Sequence, residues 1–211
     1  MSENIKIAGN YTISDWKKLS NELSKNLENV DLWEKAFDFF KKRLETRYLN
    51  PIRYIEENGN SVGEGFAVVT IICSTIEALE SFYQGKSYRK GSTEHPLDQN
   101  TEYFKSQPIF ESFLQNREPF KSYFSDKGLA TNFYENVRCG ILHEAATRGG
   151  WKIKTCSSKL IERHDNYWIL NRKLLVQAIE DYLKSYKTEL FSSQDLKKAF
   201  IRKFDAICES A

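Results

Sequence analysis

The stretch Phe133-Tyr134-Glu135-Asn136-Val137-Arg138-Cys139-Gly140-Ile141-Leu142-His143-Glu144-Ala145 decides how the chain is read. Phe133, Val137, Ile141 and Ala145 step by four, with Tyr134 and Leu142 beside them. That spacing predicts an amphipathic helix over 130–147 with one buried face. Gly149-Gly150 is its expected stop, because glycine reaches the left-handed conformation that ends helices. The helix carries Arg138 and, five positions on, His143, one of three histidines in the chain. Arginine is always charged and holds phosphate oxygens with a fork of N–H donors. Histidine gives or takes a proton near neutral pH. Together the two types suit cleavage of a phosphodiester without a metal. Five residues at about 100° each put the side chains roughly 140° apart around the axis. Long arginine reach, or a second protomer, must bring them together.

Working outward, most of the chain repeats the helical period. Trp16, Leu19, Leu23 and Leu27 predict a helix over 14–29, capped by Ser14 or Asp15. Leu32, Trp33, Ala36, Phe37, Phe40 and Leu44 predict a second over 31–48, capped by Asp31. Asn50-Pro51 is expected to break or kink it, and a short helix follows until Gly59-Asn60. Residues 64–84 are apolar around much of the circumference, which predicts a central, buried helix. Glu77 and Glu80 interrupt it three apart. One reading sets both on the solvent edge. The other pairs one of them with an arginine such as Arg138, since a buried arginine needs a carboxylate or backbone partner.

Residues 85–100 read as a polar loop punctuated by Gly85, Gly91, Ser92 and Pro96; His95 has no assigned role there. One or two aromatic-rich helices are expected over 101–125. Trp151 to Lys154 and Tyr167 to Leu170 read as strands, forming a small antiparallel ribbon across a polar 155–166 loop. His164 is expected to be solvated in that loop. A helix over 171–190 and a last one capped by Ser192 or Ser193 complete the chain, the last with a stripe of Leu196, Phe200, Ile201, Phe204 and Ile207.

Composition narrows the classes. The 211 residues are 40% hydrophobic with 4 prolines and 10 glycines, which disfavours a turn-rich all-β fold. The net charge of +2 is too small to announce a nucleic-acid binder. Residues 151–211 nevertheless hold 12 Lys and Arg against 8 Asp and Glu, while 1–150 hold 19 against 21. Cys73, Cys139, Cys156 and Cys208 form no C-x-x-C pair, and Cys73 and Cys139 read as small buried hydrophobes in a reducing compartment. No His, Asp, Glu or Cys group has metal-ligand spacing, and no glycine-rich phosphate loop occurs, so neither metal nor cofactor is expected. Residues 1–12 lack the apolar core of a secretory leader, and the run Phe66 to Cys73 is too short to span a bilayer. A soluble cytoplasmic protein that binds no membrane is the expectation.

An all-helical chain with Arg138-x4-His143 on a late helix resembles the HEPN superfamily, whose signature is an arginine followed by a histidine four to six residues on. The apolar helix with an embedded Glu is similar to the preceding core helix of such domains. The resemblance covers about residues 30–190 of a single domain over 1–211. The N-terminal helix, the C-terminal helix and the β-ribbon after the Arg/His helix would be additions to a HEPN-like helical bundle. Cys139 follows the arginine where active members often carry Asn, Asp or His.

The resemblance implies a metal-independent endoribonuclease, a bacterial toxin or phage-defence effector. It would act as a homodimer through the 130–147 helix, so that two copies of Arg138 and His143 line one cleft. The RNA 2′-hydroxyl would attack the adjacent phosphorus, His143 would move the proton, and Arg138 would stabilise the added charge. The ends left would be 2′,3′-cyclic phosphates. Partners would be RNA and an antitoxin or defence-system protein. The alternative is a catalytically silent HEPN-like module that binds RNA, a nucleotide or a protein. In a purely structural reading, Arg138 pairs with Glu77 or Glu135 and His143 is a satisfied core histidine.

Overall fold

The computed structural model describes residues 2–59 and 62–211; the expected helix stop at Asn60 falls outside them. The protein is mostly helical with a few small sheets. Its residues fall into two compact units; three of the dividing lines run inside helices and the fourth follows Phe104.

The first unit comprises residues up to Pro51, Ser81–Phe104 and Tyr186–Ala211. A short hairpin, β1 (Lys6–Ala8) with β2 (Tyr11–Thr12), leads into α1 (Ile13–Lys25). Thr12, not Ser14 or Asp15, caps α1. Its hydroxyl accepts from the Asp15 N–H while the Asp15 carboxylate accepts from the Thr12 N–H, a reciprocal box that satisfies two otherwise orphan donors. Helix α2 (Val30–Leu44) is capped by Asn29, two residues ahead of the expected Asp31. The core is aromatic. Trp16 stacks on Phe204 of α10 (Gln194–Glu209) at 4.3 Å, and Phe40 meets Phe82 edge-on at 4.7 Å. Such pairs add roughly 0.5–1.5 kcal/mol each beyond their burial. Ser193 caps α10 as expected, and Leu196, Phe200 and Phe204 are its buried stripe. The 85–100 loop holds a short strand, β3 (Ser87–Tyr88), parallel to β4 (Glu102–Tyr103). Two-residue strands leave no alternation to read.

Pro51 does not end the second helix. The backbone widens into a π-helical turn over Glu45–Leu49, with the Asn50 N–H bonded to the Glu45 carbonyl, and continues as α3 (Asn50–Asn58). The wide turn shifts the hydrogen-bond ladder just where Pro51 has no N–H to give. It also explains why Leu44 and Leu49, five apart, are both buried.

The second unit comprises Ile52–Glu80 and Lys105–Ser185. Its spine is the first part of α4 (Glu64–Gln84), with Val68, Val69, Ile72, Thr75, Ile76 and Leu79 all fully buried. Among the described residues α4 is the one helix long and apolar enough to cross a membrane, and 56% of its most apolar window is buried inside the protein. Around it lie α5 (Ser106–Asn116), α6 (Phe120–Tyr123), α7 (Lys127–Phe133), α8 (Cys139–Glu144) and the first part of α9 (Arg172–Ser192). Phe110 and Phe133 stack at 6.1 Å, and Phe113 meets Tyr182 at 4.7 Å.

A three-stranded sheet comes after α8: β5 (Trp151–Lys154), β6 (Ile161–Arg163) and β7 (Trp168–Asn171), in the order β5-β7-β6. The two expected strands do pair, but in parallel, with Trp151 opposite Trp168. β6, expected as loop, pairs antiparallel with β7. The 155–166 segment reverses the chain before β7, so β7 returns in the direction of β5. Trp151 and Ile153 face the core. Trp151 donates to Asn132 Oδ1 at 2.7 Å, and Ile153 reaches α4 where Gly65 leaves no room for a Cβ.

Candidate functional site

Arg138 and His143 sit on one continuous helical stretch, α7 and α8 joined by a second π-helical turn over Tyr134–Arg138. Residues four apart drift by about 40° per step on an α-helix. A wider turn takes up that drift, and Phe133, Val137 and Ile141 are all buried. The stretch starts at Lys127 and ends at Glu144, short of the expected 147. Ala145, at φ +53°, makes the left-handed stop that the sequence assigns to Gly149-Gly150.

The early stop lets residues 145–148 fold back along the helix. The Arg148 N–H donates to the Asn136 carbonyl at 2.8 Å and its Nη2 to the Glu135 carbonyl at 2.7 Å. A π-turn displaces the ladder, so its carbonyls need donors from elsewhere; Arg148 supplies them. The fold-back passes so close that a Cβ on Gly140 would lie 2.6 Å from the Ala146 carbonyl oxygen. Gly140 is therefore a close-approach glycine, and the two later glycines serve the turn into β5 instead.

Arg138, last residue of the wide turn, reaches α4. Its Nη2 lies 3.6 Å from Glu77 Oε2, and both side chains are about one-fifth exposed. Its guanidinium carbon is 5.3 Å from the centre of the Tyr134 ring, and Nη1 is 4.0 Å from Cys139 Sγ. Glu77 is held from the other side by Ser106 Oγ at 2.9 Å, at the start of α5. Burial holds the Tyr134 phenol above its ordinary value, opposed by the Arg138 charge. Of the two readings of Glu77 and Glu80, pairing is the observed one, and for both. Glu80 is wholly buried, gripped by Arg117 through Nε (2.9 Å) and Nη2 (3.0 Å) and by Ser112 Oγ (2.7 Å).

His143 is not a core histidine. It is exposed on α8 beside Leu142, which is 56% exposed, and among the described residues no hydrogen bond or ion pair engages it. No contact joins it to Arg138 within the chain. Cys139 is half-buried, less than expected, while Cys73 is buried and its thiol pushed up to about 12 by burial. Among the described residues no group of His, Cys, Asp and Glu is placed to hold a metal ion. His164 is not a free loop residue. Its ring stacks on Tyr167 at 4.4 Å, and Nε2 is 3.3 Å from Glu162 Oε1.

Sequence reasoning missed Ser106, Tyr134 and Arg148. Tyr134 had a signal, since it lies four before Arg138 on the same helix. Ser106 and Arg148 reach the site by tertiary folding and had none.

The arrangement presents a half-buried cation in a carboxylate and aromatic cradle, with an exposed imidazole one turn further along. Arginine has five N–H donors, so one ion pair and a thiol contact leave donors for an incoming oxyanion. No protein-family model matches the chain, and no curated protein or solved structure matches it.

Proposed function

We propose that the protein is a metal-independent endoribonuclease of the HEPN type, a bacterial toxin or phage-defence effector of the cytoplasm, built on a HEPN-like bundle with the small sheet as an insertion. The observation that carries the reading is the state of the pair. Arg138 is oriented by Glu77 and Tyr134 yet still open to solvent, and His143 is exposed and uncommitted. In a two-fold dimer through the 127–144 helix, the exposed Leu142 supplies apolar contact beside His143, and a C₂ contact presents the same patch twice. One protomer's imidazole then faces the other's guanidinium across the cleft. His143 takes the 2′-hydroxyl proton or protonates the leaving 5′-oxygen, and Arg138 stabilises the extra phosphoryl charge.

The test is RNA cleavage in excess EDTA with analysis of the ends, alongside light scattering. Cyclic phosphate ends from a dimer are expected. Strict dependence on added Mg²⁺ or Mn²⁺, or a protein monomeric with and without RNA, overturns the reading. A second reading has its own observation. Cys139, rather than a polar side chain, directly follows the arginine, and Glu77 already neutralises Arg138. Those favour a silent module that binds RNA, a nucleotide or an antitoxin-like partner without cutting.

A further inference from the structure

The sheet after α8 carries charge that the Arg/His pair does not use. Residues 151–173 hold six Lys and Arg against two Asp and Glu. Arg172 is committed, within 3.4 Å of Glu56 and of Glu64. Lys152, Lys154, Lys159, Arg163 and Lys173 are exposed, and among the described residues none makes an ion pair. Five cations without a carboxylate, in a chain of net charge +2, are a local excess.

Register puts two of the five, Lys152 and Lys154, on one face of the sheet, while Arg163, opposite Trp168, lies on the other. Side chains of paired strand residues point the same way. Lys152 is opposite Ile169 and Lys154 opposite Asn171, while Trp151 and Trp168 are paired on the other face. That other face is pinned to the signature helix, through Trp151 to Asn132 at 2.7 Å and edge-on to Phe133 at 5.3 Å. The lysine face therefore looks away from the core at Lys152 and Lys154, and closes at Asn171, which is buried. Along it runs a row of stacked groups: the Lys152 ammonium 3.8 Å from the centre of the Tyr167 ring, then the His164 ring parallel to Tyr167 at 4.4 Å. The His164 backbone N–H donates to the Tyr167 carbonyl at 2.9 Å, which fixes the row to the backbone. One carboxylate shares the face, Glu162; it accepts from Ser157 Oγ at 2.7 Å, and His164 Nε2 lies 3.3 Å from its other oxygen.

We infer that this face binds single-stranded RNA, with Lys152 and Lys154 on the phosphates and the Tyr167–His164 row against the ribose and bases. Flexible ammonium groups neutralise a phosphate backbone without reading sequence. Lys152 covers one face of Tyr167 and His164 the other, so the outer face of the His164 ring is the one left to stack on an unstacked base, which a duplex does not offer. A protein partner would be expected to find a larger apolar patch here, and the face offers Ile169 alone. The choice of RNA over other single strands rests on the ribonuclease reading; the assignment of the face does not.

The experiment measures anisotropy of a short, unstructured, fluorescein-labelled RNA titrated with protein carrying Arg138→Ala, so that the RNA stays intact. Lys152→Glu with Lys154→Glu is compared with Lys18→Glu with Lys35→Glu, which changes net charge equally at exposed positions elsewhere. The sheet pair should weaken binding by roughly tenfold or more, and lower the slope of log K against log salt by about 1.4, or 0.7 for each lost contact. The control pair should do neither. Melting curves confirm that both variants are folded. Equal effects of the two pairs overturn the assignment, as does the absence of RNA binding at low salt. If poly-glutamate binds, loses affinity in the sheet variant, and RNA is ignored, the occupant is an acidic protein and the proposal fails. If RNA binds through this face but the unaltered protein never cuts it, the ribonuclease reading fails and this one stands.

Discussion

Two glutamate–arginine pairs sit one turn apart on α4 and differ in almost everything else. Glu80 is fully buried and holds Arg117 through two nitrogens, with a serine closing the set. Glu77 holds Arg138 through one contact at 3.6 Å, with both partners one-fifth exposed. The first is a lock. Its carboxylate is out of water and depends on Arg117, whose own side chain is 16% exposed. The second is a looser cradle, open to water on both partners. Chemistry of the residues does not separate the pairs, since both are Glu with Arg and each has a serine on the carboxylate. Depth in the fold does.

The largest expected effect tests the lock. Arg117→Ala should cost about 3–5 kcal/mol, because it strands the fully buried Glu80 carboxylate. At 2–4 °C per kcal/mol for a chain of this size, melting should fall by roughly 10 °C. Replacing Glu80 and Arg117 together by methionine should recover much of that loss. A single substitution that melts like the unaltered protein breaks the comparison.

Next come the cradle residues. Arg138→Ala should leave melting within about 1 kcal/mol, since Glu77 keeps its serine and gains water. On the proposed ribonuclease reading, cleavage should also drop about 10²–10³-fold, the effect of losing an oxyanion donor. His143→Ala should lower it about 10²–10⁴-fold without any melting change. Should Arg138→Ala prove as destabilising as Arg117→Ala, the two pairs are alike and Arg138 is structural.

A smaller effect is expected from Gly140→Ala. The new methyl would meet the Ala146 carbonyl, a backbone atom that can yield only by moving the 145–148 fold-back. Roughly 1–3 kcal/mol of destabilisation is expected from such overpacking. Amide exchange should quicken first at Arg148. Unchanged exchange there would mean that the fold-back does not support the wide turn.

The smallest effect concerns Cys73, one turn before Glu77. Burial pushes its thiol up to about 12, so it stays neutral where an unfolded thiol, near 8.5, has ionised. A raised pKa stabilises the fold below the unfolded value, and that contribution is lost as pH rises from about 9 through 12. At pH 8 a thiol reagent should label exposed Cys156 quickly and Cys73 only on unfolding. Rapid labelling of Cys73 would mean that water reaches the helix face behind the cradle.

Much of the helical layout was legible because a buried stripe repeats along the chain. What was misplaced were ends and turns. Thr12 takes the cap from Ser14 because only Thr12-x-x-Asp15 closes both hydrogen bonds of the box. Pro51 and the step of four at Phe133, Val137 and Ile141 are both accommodated by π-helical turns. Leu44 and Leu49, five apart, were a signal for the first of these. The strand pair at Trp151 and Trp168 was visible as apolar, aromatic runs, but its parallel direction depended on how residues 155–166 reverse the chain.

For the candidate site, the sequence alone determined the residue types and their spacing, and left open whether Glu77 or Glu80 pairs with Arg138. Helical periodicity and charge are local properties, so they survive without coordinates. Only the tertiary structure decided that Glu77 takes Arg138 while Glu80 takes Arg117, that His143 faces solvent, and that Arg148 closes the wide turn. Those outcomes depend on which surfaces are buried against each other. Burial turns one of two similar ion pairs into a lock and leaves the other open.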